Sequence, residues 1–241
     1  MSPARLAQLL SLSLLVAQLA SAQNAPQQTD KEVEHVQAMI SESKKEADDY
    51  TKAGRPNDAN HPNLKWAKAL WTYRGKHPGT YATTLATTEA LRLLVRVDRI
   101  SEMQDKANTL KLSDPAWRQV LNVLLFAALK TKDYDYFITK TEALAQRAND
   151  PEIKAKARFI QGDGLWRNGD TEKAKAVFKM VVAQFPKTAY AEEAEGNLGD
   201  IEFLNIGQTA PSIERTTIDG QPFSLAGFRG QVVVLKFWGT Y

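Results

Sequence analysis

The chain has 241 residues, of which 43% are hydrophobic and 24% are charged. This is the composition of an ordinary globular protein, long enough for one large domain or two small ones. Lys and Arg total 31 against 28 for Asp and Glu, with the two signs mixed throughout, so we expect no nucleic-acid partner. The sequence contains no cysteine, which excludes thiol chemistry, disulfides and cysteine-based zinc sites within these residues.

Residues 1–22 have the pattern of a secretory signal peptide. Arg5 gives a short positive region, residues 6–19 are rich in leucine, and Ala20-Ser21-Ala22 is a small-residue cleavage site. The apolar stretch is shorter than the roughly 20 residues of a membrane span. We therefore expect an exported protein, periplasmic or secreted after cleavage at Ala22, without a stable membrane anchor. An uncleaved anchor is the alternative.

Residues 23–63 are predicted to hold a polar tether, one helix and a linker. The tether covers residues 23–29 and lacks apolar residues at a regular spacing. Asp30 is a suitable N-cap for a helix whose apolar residues recur between Val33 and Ile40. Residues 54–63 are rich in Gly, Pro and Asn and therefore form the linker.

Residues 64–205 are predicted to form a helical-repeat domain. The turn residues Asp98, Asp133 and Asp170 lie 35 and 37 residues apart, and each precedes the second helix of a pair. The first helices of these pairs are expected over residues 81–97, 115–129 and from Pro151 onward. Helices over residues 64–73 and 190–203 would open and close the series. Three or more such units suffice to bury a continuous core, which indicates an α-solenoid.

The unit over residues 151–186 resembles a tetratricopeptide repeat. Four residues fall at the internal spacings of that repeat, namely Gly162, Ala174, Phe178 and Pro186. The resemblance implies that Gly162 and Ala174 let two helices approach closely, that Phe178 fills the groove, and that Pro186 ends the second helix. The unit departs from the repeat pattern at three positions where Trp, Leu and Tyr are expected, which hold Arg158, Gln161 and Leu165.

The composition changes again over residues 206–241. Gly207 to Pro211 reads G-x-x-A-P, residues 213–218 alternate like a strand, and Asp219-Gly220 is a hairpin turn followed by a returning strand from Pro222. A second turn over residues 228–230 precedes an apolar, β-branched run over residues 232–238. Such a run is typical of a central strand that is covered on both faces.

The order of these pieces resembles the start of a TlpA-like thioredoxin, within the broader redoxin (AhpC/TSA-like) superfamily. In that family an aromatic lead-in similar to Phe237-Trp238-Gly239-Thr240-Tyr241 precedes the C-x-x-C site. The resemblance implies that Trp238 and Tyr241 flank the redox site, that Gly239 and Thr240 form the turn toward its helix, and that Phe237 belongs to the core. It also implies that the chain ends before its C-x-x-C.

The expected fold is therefore mainly α. A tetratricopeptide-like α-solenoid is followed by the incomplete N-terminal part, a hairpin plus a central strand, of an α/β thioredoxin fold. The resemblance implies an exported thiol–disulfide oxidoreductase whose repeat domain binds a client or redox partner, without a cofactor. Because no residue here can form a thiolate, the chain itself is expected to be inactive. Two alternatives are a non-enzymatic interaction scaffold and a peroxiredoxin-type antioxidant enzyme.

Two other residue types were weighed as candidate sites. The histidines His35, His61 and His77 have no i, i+4 pair among them, so we expect surface or capping roles and no metal site. Four tryptophans fall on predicted helices and are expected in helix–helix cores, with a peptide groove as the alternative; they are Trp66, Trp71, Trp117 and Trp166.

Overall fold

The computed structural model describes residues 30–55, 57–203 and 207–236, and this part of the chain is mainly helical with one small sheet. The predicted helices are confirmed, with ends that differ from the prediction by a few residues. They are α1 Asp30–Lys52, α2 Pro62–Lys76, α3 Tyr81–Arg96, α4 Ile100–Asn108, α5 Trp117–Thr131, α6 Asp135–Arg147, α7 Pro151–Arg167, α8 Thr171–Gln184 and α9 Ala189–Phe203. The predicted signal peptide and tether lie outside the described residues.

The helices are arranged so that each odd-numbered helix packs against the next odd-numbered one. Helix α3 contacts α1 and α5, and α7 contacts α5 and α9, while the even-numbered helices lie against their neighbours in the chain. The largest fully buried side chains, Trp117, Phe137 and Phe178, come from α5, α6 and α8. The core therefore runs along the series of helices instead of forming around one centre.

An X-Pro step precedes four of the odd-numbered helices. These steps are His77-Pro78 before α3, Asp114-Pro115 before α5, Asp150-Pro151 before α7 and Phe185-Pro186 before α9. They recur every 35 to 37 residues. Pro151 is the first residue of α7, where its missing N–H costs nothing. Pro78 and Pro186 lie two residues after the ends of α2 and α8 and cannot continue those helices, and Pro115 lies in the turn before α5.

Two aspartates in these steps join the start of their own helix pair to an earlier helix. Oδ1 of Asp114 accepts from the backbone N–H of Ala116 and Oδ1 of Asp150 accepts from that of Glu152, each at 2.9 Å. Their second oxygens accept from Arg74 and Arg118, each at 2.6 Å. Asp150 thus caps α7 and Asp114 stabilises the turn just before α5, and each binds an arginine of an earlier helix, Arg118 on α5 or Arg74 on α2, with a charge-assisted hydrogen bond. We call these two contacts the Asp–Arg junctions.

The turns inside the three central pairs contain a residue in the left-handed region at equivalent places. These residues are Asp98 (φ 61°), Lys132 (φ 62°) and Gly169 (φ 92°). Only glycine adopts this conformation without a steric cost, which is about 1–2 kcal/mol for other residues. The side chain of Asp98 also forms an ion pair, because its Oδ1 lies 2.7 Å from Nζ of Lys130.

The C-terminal hairpin is confirmed, but the predicted central strand is wrong over its described part. Strand β1 (Glu214–Thr216) pairs antiparallel with β2 (Pro222–Ser224), and the N–H of Gly220 donates to the carbonyl of Thr217 at 3.0 Å across the predicted Asp-Gly turn. A 3₁₀ turn over Leu225–Phe228 follows.

Residues 232–236 form no strand, and Val232 and Val234 are 96% and 86% exposed. A strand is stabilised by pairing with neighbouring backbone and by burial of its faces. The described part of the chain supplies neither to residues 232–236, so β propensity alone does not form the strand.

Candidate functional site

The four residues predicted to flank a redox site, Trp238, Gly239, Thr240 and Tyr241, lie outside the described residues. Phe237 does so as well. The candidate sites that the structure describes therefore lie in the helical region. Three features are of interest there: the α7–α8 unit, a buried lysine on α7, and a cleft between α1 and α2.

In the α7–α8 unit the ring of Phe178 lies directly on the backbone of Gly162. A Cβ atom added at Gly162 would stand 2.7 Å from Cε1 of Phe178, closer than real Cβ contacts. Phe178 and Ala174 are both fully buried, and the indole of Trp166 meets the Phe178 ring edge-on at 6.5 Å. Pro186 follows two residues after the last residue of α8.

A second glycine on α7, which the sequence analysis did not single out, makes the equivalent contact with the preceding pair. A Cβ at Gly164 would stand 2.3 Å from Cε1 of Phe137 on α6 and 3.3 Å from Cδ1 of Leu125 on α5. Gly162 thus permits contact with the partner helix α8, and Gly164 permits contact with the previous pair. The two glycines give α7 close neighbours on both sides.

Two of the three residues that depart from the tetratricopeptide pattern, Arg158 and Gln161, form a polar link between α6 and α7. Arg158 donates to Oε1 of Glu142 at 3.1 Å through Nη2, and Gln161 donates to Oε2 of the same carboxylate at 3.0 Å. The hydrogen bond from Arg158 is the main reason that the pKa of Glu142 lies below its usual value. A charge-assisted network therefore stands where the repeat pattern has large apolar side chains.

Lys156 is a buried lysine on the side of α7 that faces α5 and α9. Its side chain is only 7% exposed. Burial lowers its pKa from 10.5 to about 8, while the charge of Glu193 on α9 opposes that shift and the charge of Arg118 on α5 adds to it. Tyr190 on α9 is partly buried, which raises its pKa to about 12. The folded chain thus bears the cost of a poorly solvated ammonium at neutral pH.

Replacing Lys156 by methionine is expected to stabilise the protein at pH 7 by on the order of 2 kcal/mol, or about 5 °C in Tm. Below pH 8 the lysine is charged in both states, so the folded state bears the full cost. Between about pH 8 and 10.5 the unfolded chain holds a proton that the folded chain has released, so this cost falls as pH rises.

Thermal unfolding of wild type and K156M at pH 7 and pH 10 measures the effect. The gain should shrink toward pH 10, and K179M, at an exposed position on the adjacent helix α8, should show no comparable gain. A K156M gain of equal size at both pH values would contradict the proposed cause.

A cleft of about 460 Å³ lies between the first half of α1 and the last half of α2. Its lining residues are Lys31, Glu32, His35, Met39, Ala69, Thr72, Tyr73, Lys76 and His77. The lining residues from α1 are one to four positions apart in the sequence, so they occupy one face of that helix. The second set is spaced in the same way along α2 and ends with His77, directly after the helix. The cleft is therefore formed by two helix faces that do not close on each other.

Three rings and one polar side-chain contact give this cleft its chemistry. The ring of Tyr73 stacks nearly parallel on that of His77, with centroids 4.3 Å apart, and His35 meets Tyr73 at 5.8 Å. Nδ1 of His77 lies 3.4 Å from Oε1 of Glu32. Tyr73 is 9% exposed, and its hydroxyl has no hydrogen-bond partner among the described residues.

The three histidines have different roles in the structure. The predicted capping role is confirmed for His61, whose Nδ1 accepts from the N–H of Asn63 at 3.1 Å at the start of α2. His35 and His77 line the cleft, which the sequence analysis did not predict. Within residues 30–55, 57–203 and 207–236, no group of three or more potential ligands is placed to hold a metal ion.

The tryptophans pack against the cores, as expected. Trp117 is 1% exposed, and its Nε1 donates to the carbonyl of Lys111 at 2.8 Å. Trp66 and Trp71 are partly buried against the core of the first helices, and Trp166 is partly buried against that of the last ones. These four side chains therefore contribute to packing between helices.

Comparison of the chain with protein-family models, with curated proteins and with solved structures found no match in any of the three. Across the described helices, none combines the length and the apolar character that a membrane crossing needs.

Proposed function

We propose that the helical region is the partner-binding domain of an exported thiol–disulfide oxidoreductase of the TlpA-like thioredoxin type. The observation that carries the proposal is the fixed order of motifs over residues 207–241. A G-x-x-A-P entry, a hairpin with an Asp-Gly turn, an Arg-Gly turn, an apolar run and an aromatic lead-in follow one another. The paired strands β1 and β2 agree with the hairpin of that series.

The arrangement of the helices supports a tetratricopeptide-like solenoid for residues 64–203. The odd-numbered helices contact one another in succession, the X-Pro steps recur every 35 to 37 residues, and Gly162 and Phe178 make a close contact of the kind that the repeat pattern implies. Solenoids of stacked helix pairs offer extended surfaces for protein partners. A protein client or redox partner is therefore the ligand class we propose.

The redox step itself requires two cysteines, which these 241 residues do not contain. A thiolate at a helix N-terminus attacks a substrate disulfide, and a second thiol resolves the mixed disulfide. Trp238 and Tyr241 are proposed to flank such a site. The 241-residue chain is expected to show no turnover in an insulin-reduction assay, and measurable turnover would contradict this account.

The absence of cysteine favours a second candidate function, a non-enzymatic scaffold that binds proteins. The two are distinguished by the intact mass of the protein isolated from its own organism, before and after reduction and thiol alkylation. Two alkylated sulfurs and a mass above that of residues 23–241 would support the oxidoreductase. A single reactive thiol would favour a peroxiredoxin-type enzyme, and no alkylation would favour the scaffold.

A further inference from the structure

We propose that the cleft between α1 and α2 binds the C-terminal residue of a partner polypeptide when that residue is aromatic. The ring would lie on the apolar floor and the terminal carboxylate would lie between two lysines. This inference deepens the partner-binding role proposed above and rests on it for the choice of a polypeptide as ligand. The site is a place on the repeat surface where a specific chain end is recognised.

The floor of the cleft suits an aromatic ring. Met39 and Ala69 supply aliphatic surface, and the rings of His35 and Tyr73 supply aromatic surface at the same place. Thioether and aromatic groups both make favourable contacts with a further ring. A volume of about 460 Å³ lies within the usual range for ligand pockets, about 300–1,000 Å³, and has room for one or two residues of a peptide.

The charges on the rim favour an anion. Lys31 and Lys76 line the cleft from α1 and α2, and among the described residues neither ammonium forms an ion pair. The carboxylate of Glu32 is the only acidic group in the lining, and His77 lies 3.4 Å from it. The two lysines therefore leave a positive excess beside an aromatic floor, and a carboxylate complements that excess.

A chain end fits this set of groups better than an internal segment. A C-terminal aromatic residue carries its ring and its carboxylate on the same Cα atom, so both enter a cleft of one- or two-residue size together. An internal aromatic residue would bring a second peptide group whose carbonyl needs a donor, and the hydroxyl of Thr72 has none to offer because it already donates to the carbonyl of Lys68 at 2.8 Å.

The test uses the whole chain and two small probes, N-acetyl-phenylalanine and its amide, followed by NMR chemical shifts up to about 20 mM. The acid is expected to bind with a Kd of about 1 mM, a value in keeping with a ligand of its size. The amide is expected to bind at least tenfold more weakly, because it lacks the charge that the lysines attract.

Three variants locate the site. Lys76→Gln should weaken acid binding about tenfold, whereas Tyr73→Phe removes only a hydroxyl that is closed off from the cleft and should leave acid binding unchanged. Lys68→Gln is the matched control, because Lys68 is exposed on the same helix and is not part of the lining. Unchanged thermal unfolding would show that each variant is folded.

The proposal is overturned if neither probe shifts any resonance, if acid and amide bind equally, or if Lys68→Gln weakens binding as much as Lys76→Gln. None of these outcomes bears on the oxidoreductase proposal, which depends on cysteines counted in the native protein. Conversely, a cysteine-free native protein that binds the acid selectively would retain this site and lose the redox role.

Discussion

Replacing Phe178 by alanine is expected to lower the free energy of unfolding by about 3–5 kcal/mol. The ring is fully buried, rests on the backbone of Gly162 and meets the rings of Trp166 and Phe159. Because Gly162 has no side chain that could move into the vacated space, the cavity would stay largely unfilled. The expected loss therefore includes the hydrophobic free energy of burying the ring and the additional cost of the cavity that its removal leaves.

The measurement is urea unfolding followed by far-UV circular dichroism. Phe203→Ala on α9 is the matched control, because its side chain is 54% exposed and its removal leaves no cavity. A loss under about 1 kcal/mol is expected there. Equal losses for the two variants would show that the α7–α8 contact contributes no more than an exposed ring does.

Gly164→Ala is expected to destabilise the chain by about 1–3 kcal/mol, although alanine is the better helix former by about 1 kcal/mol. The new methyl group would stand 2.3 Å from Cε1 of Phe137, whose ring is 1% exposed and cannot turn away without displacing its neighbours. The steric cost therefore exceeds the gain in helix propensity.

Gly196→Ala on α9 makes the same chemical change where nothing lies within 4 Å of the new atom. It should raise stability by about 0.5–1 kcal/mol, so the two variants are expected to differ in sign. Replacing the Phe137 ring by a smaller side chain, as in the double variant Gly164→Ala, Phe137→Leu, should recover part of the lost stability. If Gly164→Ala alone stabilised the protein, helices α6 and α7 would have to be less closely packed in solution than in this structure.

The helices were predictable from the sequence because their signals are local. Apolar spacing, the turn at Asp170 and the prolines each act within a few residues, and the hairpin at Asp219-Gly220 is equally local. The central strand was not predictable in this way, because β-branched residues such as Val232 and Val234 form a strand only when another strand pairs with them. Pairing is a property of distant parts of a chain.

The contacts of the helical region were predictable only in part. Gly162 fits a known spacing, whereas the reason for Gly164 lies in Phe137, which belongs to another helix pair. The cleft was not predictable from histidine spacing, because His35 and His77 come from two different parts of the chain and the i, i+4 rule applies within one helix. The stacked pair Tyr73 and His77 does have that spacing, and an aromatic search would have found it. The roles of Trp238 and Tyr241 remain predictions.

The Asp–Arg junctions have a consequence for how chains of this kind gain or lose length. Asp114 and Asp150 are each followed by proline and each engage an arginine of an earlier helix, Arg74 on α2 and Arg118 on α5. A duplication or deletion with both ends at an Asp-Pro step would therefore bring the same three groups together again at the new boundary. The number of helix pairs can change in evolution while the chemistry between neighbours is inherited intact.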